Sequence, residues 1–117
     1  AWGLYDMLGN VAEWTLDQYR SDYYQLIGNP ARNPLQQAEN KFPLTLRGGH
    51  FKDEASALRS ATRIASDRKW NARDPQIPKS KWWNADAPFI GFRIVRPIKQ
   101  PDAKEAELFY TRLLSLK

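Results

Sequence analysis

Two carboxylates that stand seven residues apart are the first side chains with the chemistry to hold a metal ion. Asp6 and Glu13 are separated by a segment that contains Gly9 and Asn10. A hard cation such as calcium takes about 6–8 oxygen ligands from carboxylates, backbone carbonyls and water. A loop that turns at Gly9 offers four such oxygens, from Asp6, Gly9, Val11 and Glu13. The spacing alone favours the other interpretation, in which Asp6 and Asn10 satisfy a turn and Glu13 caps it or pairs with an arginine.

A histidine and several arginines form the second group, near the glycine pair at positions 48 and 49. The group comprises Arg47, His50, Arg59, Arg63 and Arg93. Converging arginines bind carboxylate, sulfate or phosphate through paired hydrogen bonds, and they also form structural ion pairs with aspartate and glutamate. The chain has one histidine and no cysteine, so we do not expect a zinc site.

Tryptophans add an aromatic component to this second group. Trp82 and Trp83 lie beside Asn84 and Asp86, and such residues line sugar or peptide clefts, although tryptophans also serve for packing. We therefore predict a cleft formed by His50, Arg59, Arg63, Trp82, Trp83 and Arg93.

The composition describes one small globular domain. The chain has 117 residues, of which 42% are hydrophobic, with a formal net charge of +5 and no cysteine. It therefore has no disulfide framework and no cysteine nucleophile. The basic residues are dispersed, so we do not predict nucleic-acid binding, and no apolar run approaches the ~18 residues of a membrane span. Because the first residue is not methionine, we expect the chain to be part of a longer protein.

Hydrophobic patterning predicts three short strands. Alternation favours a strand over 42–48, which the glycine pair ends or bulges. A second short strand is predicted over 58–64, where helical spacing fits almost as well. The apolar run over 89–95 predicts a strand buried on both faces. Few strands together with a helix give the α+β class.

Loops and a C-terminal helix complete the predicted elements. Prolines and polar residues predict irregular loops over 28–41 and 67–88. Asp102 followed by Glu105 is the pattern of a capping box, so a helix begins there. Its apolar stripe is expected to dock on the domain itself or on a partner.

Four motifs in order resemble the formylglycine-generating enzyme (sulfatase-modifying factor) family. They read GLYDMLGNVAEW over 3–14, LRGGHF over 46–51, LRSATR over 58–63 and GFR over 91–93. The resemblance covers about residues 2 to 97 and matches the C-terminal part of a domain usually more than twice as long. It implies a C-type lectin-like fold over 1–97, followed by a helical extension over 98–117. It also implies that these residues pack against an N-terminal half of the same domain or against another chain.

The resemblance assigns the first group of residues to a structural calcium ion. In the family, one side chain, two backbone carbonyls and a glutamate hold calcium, and these positions fall on Asp6, Gly9, Val11 and Glu13. The family's catalytic cysteine pair, which binds copper, follows the glycine pair. No cysteine stands over 50–58, so the soft ligands that monovalent copper needs are missing. We therefore do not expect this chain to generate formylglycine.

Three functions remain open from the sequence. The first is a non-catalytic, calcium-stabilised scaffold or binding domain of a bacterial envelope protein. This resembles the cysteine-free lipoproteins of gliding motility and type IX secretion, and it suggests the periplasm or the outer membrane. The second is an enzyme related to the iron-dependent sulfoxide synthases, with metal ligands outside this chain. The third is a lectin-like binder of carbohydrate or peptide.

Overall fold

A four-stranded sheet organises the chain. The computed structural model describes residues 3–28, 31–32, 34–71, 75–79 and 87–116. The strands are β1 (Ala12–Gln18), β2 (Leu44–Arg47), β3 (Ile64–Ala65) and β4 (Ile90–Gly91). Their order across the sheet is β3-β2-β1-β4. The pairs β1/β2 and β2/β3 are antiparallel, whereas β4 lies parallel to β1.

The central strand β1 was missing from the strands that we predicted. Residues 12–17 alternate apolar and polar side chains, which is the pattern of a strand with one buried face. Glu13 lies opposite Arg47 of β2, and Trp14 lies opposite Leu46. The register shifts between Trp14 and Gln18, so β1 contains an irregularity of the β-bulge type. This alternation gives the sheet one apolar face and one charged face.

Strand β2 confirms the strand predicted around 42–48 and carries the centre of the small core. Leu46 is fully buried on the apolar face, and Thr45 is 2% exposed on the other. Ala12 of β1 is fully buried as well. At the beginning of β2, the Ser66 hydroxyl accepts the Leu44 N–H at 2.7 Å.

The strand predicted over 58–64 is wrong, because only its last residue belongs to β3. A 3-10 helix occupies Ala55–Ala57, and the N–H of Thr62 donates to the carbonyl of Arg59 at 2.9 Å in a turn. Arg63 donates to the carbonyls of Arg20 and Ser21, at 2.8 and 3.3 Å. These side-chain bonds, which the local pattern does not encode, hold the segment out of the sheet.

The strand predicted over 89–95 exists over two residues only, and its expected burial is wrong. Strand β4 ends at Gly91, where a side chain on residue 91 would meet Val11 Cγ2 at 2.7 Å. Beyond it, Phe92, Ile94 and Val95 are 75%, 85% and 81% exposed. An apolar run therefore exists here without the second layer that would bury it.

The connecting loops follow the prediction where the structure describes them. Within 28–41, Gln37 forms one isolated bridge with Asp17 of β1. Within 67–88, a 3-10 helix spans Arg68–Asn71, and Trp82 and Trp83 lie outside the described residues. Short helix α1 covers Tyr23–Leu26. Among the described helices, none combines the length and the apolar character of a membrane span.

Helix α2 (Ala103–Leu114) confirms the predicted C-terminal helix and its capping box. The Asp102 carboxylate accepts the N–H of Glu105 at 2.7 Å, and the Glu105 carboxylate accepts the N–H of Asp102 at 3.1 Å. Phe109 and Leu113 line a small cavity together with Leu16 of β1. No residue of α2 is buried, and Phe109, Tyr110 and Leu114 remain 44%, 60% and 84% exposed.

We expect Asp102→Ala to weaken α2, because it leaves the N–H of Glu105 without an acceptor. Loss of such a cap costs about 1 kcal/mol. Hydrogen exchange of the amides of Glu105 and Ala106 measures this as a smaller free energy of local opening. Asp102→Asn keeps the cap oxygen and serves as the control, so equal loss of protection in both variants would contradict the capping role.

Candidate functional site

A bidentate ion pair between Glu13 and Arg93 marks the beginning of β1. Arg93 Nε lies 3.0 and 3.1 Å from the two carboxylate oxygens of Glu13, and Nη2 lies 2.6 Å from Oε1. The same Nη2 donates to the carbonyl of Tyr5 at 3.1 Å and reaches that of Asp6 at 3.5 Å. The hydrogen bond to Glu13 raises the pKa of Arg93 above its ordinary value. One guanidinium thus joins β1, the chain after β4 and the N-terminal loop.

The N-terminal loop turns through two residues with left-handed backbone angles. Asp6 and Asn10 have φ of 53° and 60°, and the Asn10 amide donates to the Asp6 carboxylate at 3.4 Å. The N–H of Gly9 donates to the carbonyl of Gly48 at 2.7 Å. The Asn10 carbonyl accepts the N–H of Phe51 at 3.0 Å. The loop is thereby fixed to the glycine pair that follows β2.

The four residues predicted as calcium ligands lie along this loop and at the beginning of β1. Their donors are oxygens, which suits a hard cation. The Asp6 side chain stands on the exposed loop, whereas both oxygens of Glu13 already accept from Arg93. A metal at this position would have to share Glu13 with the guanidinium. In the described part of the chain, no cluster of three or more histidine, aspartate or glutamate side chains has the spacing of a metal site.

His50, which follows the glycine pair, contacts the Asp53 carboxylate through both its backbone N–H and its ring. Asp53 Oδ2 accepts the N–H of His50 at 2.8 Å, and Asp53 Oδ1 lies 3.4 Å from His50 Nε2. The other ring nitrogen, Nδ1, accepts the N–H of Lys52 at 3.2 Å. The imidazole also stacks on Phe89, with 4.5 Å between ring centroids. Both ring nitrogens are therefore engaged within the protein.

Two further arginines, Arg47 and Arg63, meet at Tyr24. Arg47 ends β2 opposite Glu13 of β1, and Arg63 directly precedes β3. Arg63 lies over the ring of Tyr24, with its Cζ 4.2 Å from the ring centroid. The hydroxyl of Tyr24 accepts from Arg47 Nη1 at 2.9 Å. Two arginines thus contact one tyrosine.

The structure divides the residues of the predicted cleft among separate contacts. Arg93 is bound at the beginning of β1, whereas Arg63 contacts the residues that follow its end. His50 lies with Asp53 and Phe89. Arg59 is exposed, and Trp82 and Trp83 lie outside the described residues.

A groove lies on the apolar face, among residues that our sequence analysis did not choose. It encloses about 650 Å³. Its walls include Trp14, Lys41, Phe42, Trp70 and Ile90. The alternation of β1 was the available signal, because it places Trp14 on the same face as the apolar residues of β2.

Comparison with known proteins identifies the family of this arrangement. The family model described as the sulfatase-modifying factor enzyme 1-like domain matches residues 1–98. The serine/threonine-protein kinases pkn1 of Chlamydia pneumoniae and Chlamydia caviae are each 40% identical to the chain over 62 residues. Pkn1 of Chlamydia trachomatis serovar L2 is 41% identical over 61 residues. No solved structure matches the chain.

These kinases are much longer than the matched segment. The match covers 53% of this chain and 10% of the C. pneumoniae kinase, and the values for the C. trachomatis kinase are 52% and 10%. The segment shared with this chain is therefore about a tenth of each kinase.

We expect Gly49→Ala to lower the free energy of unfolding, because Gly49 is buried with φ of +69° and its new Cβ would meet Leu58 Cδ2 at 2.5 Å. The left-handed backbone alone costs an alanine about 1–2 kcal/mol. Urea unfolding of both proteins measures the difference. Gly28→Ala is the matched control, since nothing lies within 4 Å of its Cβ. Equal stability of the two variants would contradict the tight turn.

Proposed function

Because the chain belongs to the sulfatase-modifying factor enzyme 1-like family, we propose that it is a non-catalytic, calcium-stabilised scaffold or binding module of a larger bacterial envelope protein. One observation carries the proposal. Of the large hydrophobic residues that the structure describes, eighteen are exposed to solvent, from Leu4 in the N-terminal loop to Leu114 in α2. A module with so much uncovered surface acts by packing against something else.

The uncovered surface is rich in apolar side chains after β4. Phe92, Ile94 and Val95 are mostly exposed, and Ile98 is completely exposed. Soluble monomers rarely leave large contiguous apolar patches in water. The proposed cover is the N-terminal half of a sulfatase-modifying factor-like domain or another protein chain. Its addition would complete the C-type lectin-like fold that the sequence motifs imply.

The segment that follows the glycine pair supports a non-catalytic role. The family's generating enzymes place cysteines there, whereas this chain has none. In place of a reactive group, His50 engages both ring nitrogens with Lys52 and Asp53. An imidazole whose Nδ1 lone pair already accepts a backbone N–H does not offer that lone pair to a metal.

The calcium part of the proposal rests on the chemistry of the donors. Asp6, Gly9, Val11 and Glu13 supply carboxylate and carbonyl oxygens, which calcium prefers. Bound calcium would supply a fixed positive charge that holds the loop around Gly9 against β1. The Glu13 carboxylate would then be shared between the metal and Arg93.

The chlamydial relatives agree with a modular role. They bear the name of protein kinases, and the segment that they share with this chain is a tenth of their length. We propose that the module accompanies other domains in this protein also, and that it contributes binding or assembly. A place in the cell envelope, as in the lipoproteins of gliding motility and type IX secretion, stays a prediction from the sequence motifs.

The groove on the apolar face favours a second function, a lectin-like binder of carbohydrate or peptide. Trp14 and Trp70 both line it, and Lys41 and Asn71 add polar groups at its walls. Aromatic faces with a few polar groups suit sugar rings and peptide side chains. The volume of about 650 Å³ lies within the range of ligand pockets.

We expect calcium to stabilise the protein and copper(I) and iron(II) not to. At a calcium concentration a hundred times its Kd, linkage gives about 2.7 kcal/mol, or a rise in Tm of roughly 10 °C. Differential scanning calorimetry with each metal in turn, after treatment with a chelator, measures the shifts.

Asp6→Ala should abolish the calcium shift, whereas Glu107→Ala removes one exposed carboxylate on α2 and should leave it intact. An equal shift in both variants, or none in the native chain, would overturn the calcium site. Stabilisation by copper(I), or conversion of a peptide cysteine to formylglycine by the copper-loaded protein, would overturn the non-catalytic role.

If the groove binds carbohydrate or peptide, Trp70→Ala should weaken that binding about tenfold or more, as truncation of a buried aromatic anchor does. A glycan array and a peptide library identify the ligand, and titration of tryptophan fluorescence gives its Kd. Tyr110→Ala, which removes an exposed aromatic ring from α2, is the control. Equal affinity of the two variants would rule out the groove as the site.

A further inference from the structure

We propose that Arg47, Arg63 and Tyr24 form a binding site for a small molecule that carries one carboxylate and an apolar group. The site lies on the charged face of the sheet, on the side away from the aromatic groove. It is independent of the scaffold role and of calcium, since none of its residues belongs to either.

Two like charges lie close together at one tyrosine. Leu46 pairs with Ile64 in the sheet, Arg47 follows Leu46 and Arg63 precedes Ile64, and both guanidiniums contact Tyr24. Like charges that are held close together repel each other. In the described part of the chain neither guanidinium has a carboxylate within 4.0 Å, because Glu13 is bound by Arg93 and Asp22 by Arg20. An anion between the two arginines would remove this repulsion.

Both guanidiniums are already held in place by contacts within the protein. Arg47 donates to the Tyr24 hydroxyl at 2.9 Å and to the Ser60 carbonyl at 2.5 Å. Arg63 uses Nη1 and Nη2 on the carbonyls of Arg20 and Ser21 and stacks on Tyr24. Each guanidinium has five N–H groups, so these contacts leave several free. A ligand that meets side chains fixed in advance loses less conformational entropy to bind.

The cavity beside the two arginines is small and has apolar residues in its walls. Arg47 and Arg63 line a cavity of about 220 Å³, whose other walls include Tyr23, Ile27 and Pro34. This volume is below the usual 300–1,000 Å³ of drug-sized ligands. Apolar walls opposite a pair of cations fit a small acid that carries an aromatic or aliphatic group.

The charged residues that line the cavity favour a ligand with one negative charge. Asp17 also lines the cavity, and its Oδ1 accepts the N–H of Gln36 at 2.9 Å. Two arginines and one aspartate give the cavity one excess positive charge. A monoanion balances this positive charge, whereas a phosphate dianion would bring one excess negative charge next to Asp17. Planar carboxylates also match the paired N–H groups of a guanidinium.

Titration of the chain with phenylacetate, followed by NMR shifts of the backbone amides around Tyr24 and Arg63, tests the site. Phenylacetate should bind and shift these amides, whereas the neutral phenylacetamide should not. Arg47→Gln and Arg63→Gln should each weaken binding about tenfold or more, because each removes charged hydrogen bonds. Arg68→Gln, which removes the same charge from an exposed side chain of the 3-10 helix Arg68–Asn71, should leave the affinity unchanged.

Asp17→Asn provides a test that a purely structural role would fail. The amide oxygen can still accept the N–H of Gln36, while removal of the negative charge should tighten phenylacetate binding about fivefold. Because misfolding cannot tighten binding, the expected gain in affinity tests the site even if the arginine variants fail to fold. Equal binding of phenylacetate and phenylacetamide, tighter binding of inorganic phosphate, or no gain in Asp17→Asn would overturn the proposal.

Discussion

The ion pair between Glu13 and Arg93 connects parts of the chain that are eighty residues apart. Glu13 belongs to β1, Arg93 follows β4, and the same guanidinium holds the carbonyl of Tyr5 in the N-terminal loop. Strand β4 has only two residues and therefore little ladder of its own. A bidentate contact beside it supplies directional bonds where backbone pairing is short. The ion pair and the two-residue pairing of β1 with β4 therefore connect the same parts of the chain.

The same contact decides the electrostatics of the whole charged face. Glu13 stands directly across from Arg47, yet it gives both oxygens to Arg93. Arg47 and Arg63 are left beside each other and turn to Tyr24 and to backbone carbonyls. Because Glu13 binds Arg93, its cross-strand neighbour Arg47 has no carboxylate partner in the described part of the chain.

Some elements could be predicted because their determinants are local. The capping box at Asp102 and Glu105 and the alternation around Leu46 involve neighbours in the chain, and both predictions are confirmed. The alternation over 12–17 was equally local, and we overlooked it among the motifs of the same segment. The strand over 58–64 failed for another reason, since bonds from Arg63 to Arg20 and Ser21 hold that segment outside the sheet. No pattern within 58–64 contains that information.

The sequence by itself determined the α+β class, the C-terminal helix, the family motifs and the absence of cysteine chemistry, because these follow from residue identity and near-neighbour spacing. It also indicated Asp6, His50, Arg63 and Arg93 as residues with chemical potential. Only the tertiary structure decided their partners. Arg47 is the cross-strand neighbour of Glu13, yet Glu13 binds Arg93, which follows β4. Electrostatic partners are set by distances across the sheet, and a sequence specifies those distances only once it has folded.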